Sequence, residues 1–170
     1  MKTFRFFLIN ALLSAAFSAM SQKLILPDVK IYTLEGSTAS ASSIDAKNST
    51  TVLFFWNADD NRSIEQLRLL NEEYENQIFS GKVKIVGICT NYSCTMQSIR
   101  PLVSGLAIGF DVFIDRNNDL KRAMNIPVLP YTMIIDHALD VHRYSGYCNN
   151  IVGTIMDLNN NGMANISDKR

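Results

Sequence analysis

Thiols are the side chains of this 170-residue chain best suited to chemistry, and it has three: Cys89, Cys94 and Cys148. A thiolate attacks disulfides, and two thiols within reach can form one. Cys94 follows Cys89 in the stretch Cys89-Thr-Asn-Tyr-Ser-Cys94, and Cys148 stands alone after Gly146-Tyr147. Three arrangements are open. Cys89 and Cys94 form a local disulfide with Cys148 free, Cys94 pairs with Cys148, or all three are isolated, with Cys89 a small buried apolar residue. A redox-active pair needs Cα atoms about 4.4–6.8 Å apart and an exposed attacking thiol of lowered pKa. Three cysteines are too few for a disulfide scaffold.

The other polar clusters offer less. Asp59-Asp60-Asn61-Arg62-Ser63 precedes a helical stretch, where the helix dipole favours each carboxylate by about 0.3–1 kcal/mol. Asp59, Asp60 and Arg62 could equally offer polar contacts to a partner. Asp157 to Asp168 fits a calcium-loop template, with oxygen side chains at positions 1, 3, 5, 9 and 12 and Gly162 at position 6. Asn161 at position 5, Asp168 at position 12 and only two residues beyond it favour an Asn-rich polar tail instead. His137 and His142 have no thiol or acidic partner in pattern, so no metal site is assigned. No Gly-rich phosphate loop and no Gly-x-Ser-x-Gly elbow occurs, and no cofactor is implied. The 16 basic and 16 acidic residues cancel, which argues against nucleic acid as a partner.

The elements that must position these residues begin after an export signal. Lys2 and Arg5 supply a positive start, Phe6 to Phe17 an apolar run, and Ala19-Met20-Ser21 a small-residue cleavage site. The apolar run is shorter than the roughly 20 residues a membrane span takes, so no stable anchor is expected after cleavage. Removing residues 1–21 takes away two bases and no acid, leaving 14 bases against 16 acids. The mature chain is therefore expected to be slightly acidic, and to meet an oxidising compartment.

Residues 22–158 then form one domain, followed by a polar tail over 159–170. Leu24 to Thr33 is expected as an edge strand broken at Pro27-Asp28, and a short strand near Ala39–Ser42 follows. Thr51-Val-Leu-Phe-Phe-Trp56 and Lys82 to Cys89 are apolar, β-rich runs, as in strands buried on both faces. Ser63 to Ile78 has the apolar spacing of a helix, with Ser63 and Gln66 forming a capping box. Thr95 to Leu106 is a second helix, Val112–Ile114 a short strand and Leu120–Met124 a short helix. Tyr131–Ile135 and Val141–Ser145 form a hairpin around Asp136–Asp140, and Asn150–Leu158 is the last helix. The order β-β-β-α-β-α-β-α-β-β-α implies an α/β three-layer sandwich, a central mixed sheet with helices on both faces.

This order, with its motifs, resembles the thioredoxin-like superfamily, and more closely its exported TlpA/ResA-like thiol–disulfide proteins. The likeness rests on Leu26-Pro27-Asp28 before the first hairpin, Phe55-Trp56 ending a strand, and the β-α insert Gly105–Met124. It rests also on Pro130-Tyr131-Thr132 leading into Ile135-Asp136, and on Gly146-Tyr147 after the last strand. In that family a Cys-x-x-Cys pair sits at the start of the helix after the Phe-Trp strand. The equivalent residues here are Asp60, Asn61, Arg62 and Ser63. A carboxylate cannot attack a disulfide and a hydroxyl cannot form one, so the standard reaction is excluded there. The resemblance also implies that Pro130 is cis, and that Trp56, Leu129 and Pro130 border the surface that pairs with an extended peptide.

The leading expectation is an exported thioredoxin-fold protein without the catalytic pair. It would bind a protein or peptide partner in the cell envelope through the rim around Asp60–Ser63 and Leu129-Pro130. The alternative is a thiol–disulfide oxidoreductase using relocated cysteines, Cys89 with Cys94 or Cys148. A weaker third is a chaperone-like or structural role for an exposed sheet edge.

Overall fold

The computed structural model describes residues 26–44, 49–76, 82–92 and 94–167. The expected export signal and the residues expected to open the first strand lie outside this set. The elements are β1 (Lys30–Thr33), β2 (Thr38–Ser40), β3 (Thr50–Trp56), α1 (Asn61–Glu75), β4 (Val83–Cys89) and α2 (Met96–Gly105). They continue with β5 (Asp111–Ile114), α3 (Asp119–Ala123), β6 (Tyr131–Ile135), β7 (Val141–Ser145) and α4 (Ile151–Ser167). This is the order expected, in a seven-stranded mixed sheet of strand order β2-β1-β5-β4-β3-β6-β7.

β3 lies inside the sheet, between β4 and β6, with every one of its residues buried. Its continuous apolar run suits a strand covered on both faces. It pairs in parallel with β4 and antiparallel with β6, while β4 pairs in parallel with β5. Side chains alternate between two cores, as the period of two requires. Val52, Phe54 and Trp56 join Ile85 and Cys89 under α1, α2 and α4, represented by Leu67, Leu70, Ile99, Val103, Ile151 and Ile155. Leu53, Phe55, Val86 and Ile88 pack on the opposite face with Leu120 of α3, Met124 and Leu26. Complete burial of Phe54 and Phe55 contributes about 1.5–3 kcal/mol each.

Several boundaries shift, each for a local reason. Residues 26–29 are not strand; Val29 donates to the Pro27 carbonyl at 2.8 Å instead, since Pro27 has no amide to give a ladder. β2 stops at Ser40, whose hydroxyl caps a 3-10 turn over Ala41–Ser43. α1 starts at Asn61 with Asp60 as its N-cap, so the expected Ser63–Gln66 capping box is corrected. A capping box does occur at α2, between Thr95 and Ser98.

α4 continues to Ser167, past the end expected at Leu158. Asn159, read from sequence as the first tail residue, is buried. Its side chain meets the His137 ring, Oδ1 to Nε2 at 3.2 Å, which holds it within the fold. Helical backbone through residues 157–167 is not the loop conformation a calcium template requires.

The sheet register gathers a single rim. Trp56 lies beside Cys89, Cys89 beside Ile114, and Phe55 beside Tyr131, which pairs with Ser145. The exits of β3, β4, β5 and β7 and the entry to β6 therefore share one end of the sheet. His137 and His142 lie at the β6–β7 hairpin, the far end. No helix among the described residues is long and apolar enough to cross a membrane.

Candidate functional site

The loop leaving β3 delivers Asp60 to the start of α1. Its carboxylate accepts from the Arg62 amide at 3.4 Å, the Ser63 amide at 3.1 Å and the Ser63 hydroxyl at 2.7 Å. Asp is a favoured N-cap because its oxygens satisfy helix amides that have no carbonyl partner. Ser63 is fully buried, so its hydroxyl is committed to Asp60. Asp60 is half-buried, while Asp59, Asn61 and Arg62 are exposed. The helix N-terminus thus carries a solvent-reachable negative charge but no group able to exchange with a disulfide.

Of the three arrangements of the cysteines, one is present. Cys89 and Cys94 are disulfide-bonded with Cα atoms 6.1 Å apart, and Cys148 is a free thiol. The Cys94–Cys148 pairing and three isolated thiols are thereby set aside. Cys89 and Cys94 both have no exposed surface, because Cys89 points into the core beneath α1 and α2.

The loop between them is tied to its neighbours at Thr90 and Asn91. The Thr90 amide donates to the Trp56 carbonyl at 2.9 Å, and the Thr90 hydroxyl donates to Asn118 Oδ1 at 2.7 Å. Asn91 Oδ1 accepts from the Cys94 amide at 2.8 Å. Asn91 Nδ2 donates to Asp59 Oδ2 at 3.2 Å and closely to Asn57 Oδ1.

Cys148 is held from α1. Gln66 accepts from the Cys148 amide at 2.8 Å and donates to the Cys148 carbonyl at 3.2 Å. Gln66 is fully buried, so this two-point clasp is a structural joint between α1 and the segment after β7, in place of the cap read from sequence. Gly146, at φ +79° where only glycine sits without strain, turns the chain out of β7 and donates to the Pro130 carbonyl at 2.8 Å. Nearby, burial raises the Tyr147 phenol above its ordinary pKa, and the adjacent Glu65 carboxylate adds to this. Burial likewise raises Tyr144, with Cys148 contributing.

The third side of the rim is the entry to β6. The Leu129–Pro130 peptide is cis. Leu129 is half-buried and Pro130 buried. Trp56, expected on the peptide-binding surface, is corrected: it is fully buried, with its indole Nε1 unpartnered beside Gly87. It supports the rim from below and cannot touch a partner. Two residues that sequence reasoning did not single out are exposed near this rim instead. Tyr92, in the disulfide loop, is 82% exposed, and Val128, before Leu129, is 47% exposed. They are the exposed large hydrophobic residues among those described, and the loops bearing them flank Asn57–Asp60. The signal available was a large apolar residue inside a short polar loop, at 92, and before a proline step, at 128. Among the described residues, no group of His, Cys, Asp or Glu converges enough to hold a metal ion.

A family model described as the AhpC/TSA family matches residues 23–143. No curated protein matches the chain significantly. Among solved structures, a thioredoxin-like protein from Porphyromonas gingivalis is 22% identical, with a TM-score of 0.68 over 81% of this chain and 93% of its own. StoA from Bacillus subtilis is 20% identical, with a TM-score of 0.58 over 72% of this chain and 92% of its own. A secreted Mycobacterium tuberculosis disulfide oxidoreductase homologous to Escherichia coli DsbE is 17% identical, with a TM-score of 0.64 over 77% and 96%. At these identities the structural matches establish the thioredoxin-like fold.

Proposed function

The chain belongs to the AhpC/TSA family, as a TlpA/ResA-like member of the thioredoxin superfamily, and on that premise we propose that it is an exported, non-catalytic member that binds extended polypeptide at its rim. One observation carries the reading. The place of the family's nucleophile is held by Asp60, hydrogen-bonded to a buried Ser63, while exposed Tyr92 and Val128 stand on either side. A partner strand laid along Leu129 would find apolar contacts at both shoulders and carboxylates at Asp59 and Asp60. Export is supported by the pattern of residues 1–21 and by the Cys89–Cys94 disulfide, a bond that persists in oxidising compartments.

The oxidoreductase reading keeps one observation in its favour: the relocated pair does form a disulfide. Against it, neither cysteine exposes surface, and exchange requires an accessible sulfur. Both readings are tested on the purified chain. Thiol titration should find one reactive thiol before reduction, Cys148, and three after. Insulin reduction with dithiothreitol should show no rate above background; turnover that disappears in Cys94→Ser would establish the oxidoreductase instead. Reduced, carboxymethylated α-lactalbumin serves as a thiol-free extended probe for binding. It should perturb amide resonances of Asn57–Arg62, Tyr92 and Val128–Tyr131, and perturbation confined to other surfaces, or none at saturation, would overturn the binding reading.

A further inference from the structure

Asn91 links the disulfide loop to the exposed loop that leaves β3. Asn91 stands two residues past Cys89 and three before Cys94. Its side-chain oxygen and its carbonyl both receive the Cys94 amide, at 2.8 and 3.3 Å. Its amide nitrogen reaches Asn57 and Asp59. Asn57 in turn accepts from the Asp59 amide at 3.0 Å through Oδ1 and from the Asp60 amide at 3.2 Å through its carbonyl. A short hydrogen-bonded path thus runs from the Cys94 backbone to the N-cap of α1. Tyr92, the most exposed large apolar residue described, rides on the same loop. The covalent bond between Cys89 and Cys94 limits the shapes this loop can take.

We propose that the Cys89–Cys94 disulfide is a redox switch for the rim. Oxidised, it holds Tyr92 in place and, through Asn91, the Asn57–Asp60 loop; reduced, it releases both and weakens polypeptide binding. The proposal rests on the reading that this rim binds polypeptide. The reductant is a protein dithiol of the Cys-x-x-Cys class. Its thiolate attacks one sulfur of the pair, the Cys89–Cys94 bond breaks and a mixed disulfide forms. The reductant's second thiol then attacks the reductant's own sulfur in that mixed disulfide and releases the cysteine held there. Two electrons and two protons pass to Cys89 and Cys94, which become thiols, and the reductant becomes a disulfide. Because both cysteines are buried, attack follows a local opening that exposes one of the two sulfurs.

Amide hydrogen exchange on the purified chain, oxidised and then held reduced in dithiothreitol, tests the switch. Reduction should speed exchange at Asp59–Arg62 by about tenfold or more, while Ile134 in β6 stays unchanged. Asn91→Ala with the disulfide intact should reproduce the acceleration at these amides, which a disulfide acting only as a distant staple would not produce. Carboxymethylated α-lactalbumin should bind the reduced chain about tenfold more weakly, in step with the exchange. Equal exchange in the two redox states, or an Asn91→Ala chain that exchanges like the parent, overturns the coupling. Faster exchange with unchanged probe affinity overturns the switch and leaves the binding reading intact. Binding in neither state overturns the binding reading, with the coupling still decided by exchange.

Discussion

The loops leaving β3 and β4 start from paired residues, Trp56 and Cys89, yet they divide the properties of a redox site between them. The β3 loop has the exposure and the helix N-terminus that would activate a thiolate, but its residues there are Asp60 and Ser63. The β4 loop has the sulfurs, and both are sealed in the core beneath α1 and α2. Reactivity therefore follows from coincidence of a sulfur with an activating, open position. On this rim the two properties are separated by one strand spacing and linked through Asn91 and the Thr90–Trp56 backbone bond.

Bringing the properties back together should give the largest effect. Asp60→Cys with Ser63→Cys places two thiols at the start of α1, and insulin reduction should rise at least about tenfold over the parent. No gain would mean that the rim lacks more than its sulfurs. Removing sulfur from the other loop is the converse change. Cys89→Ala with Cys94→Ala should lower unfolding free energy by about 2 kcal/mol, as for a short closed loop, read by chemical denaturation. An unchanged midpoint would show that the disulfide contributes nothing to the fold.

The smallest effect concerns the α1 side of the rim alone. Tyr144 and Tyr147 titrate higher in the folded chain than their ordinary value of 10.0, through burial first and then the neighbouring Cys148 and Glu65. The unfolded chain then loses these protons before the folded one does. Stability from this source is complete below about pH 10 and falls as pH rises through the raised folded values. Thermal midpoints measured from pH 9 upward should fall less steeply in Tyr147→Phe than in the parent. An identical slope would remove Tyr147 from the account.

Much of the fold was legible because it depends on local chemistry. The apolar runs ending at Trp56, Cys89 and Ile135 announced central strands, and β6 and β7 lie where their patterns placed them. The vacated motif was legible too, as a pair of non-sulfur residues at a recognisable place. The start of α1 was not, since Asp60 and Ser63 are both capable caps and the burial of Ser63 decided between them. The end of α4 was hidden because asparagines and Gly162 disfavour a helix locally, while Asn159 is held against His137 of the β6–β7 hairpin. Trp56 was misread as surface because the residue ending a strand can face solvent or core, and here it faces the core.

The sequence by itself determined the element order, the central strands and the absence of thiols from the start of α1, since these follow from residue types and their spacing. Only the tertiary structure decided that Cys89 bonds to Cys94, that Gln66 clasps Cys148, and that Tyr92 and Val128 stand exposed on the rim. Those outcomes depend on sheet register, which sets Cys89 beside Trp56 and Tyr131 beside Phe55. Register is settled by packing between residues far apart in the chain, and no local pattern carries it.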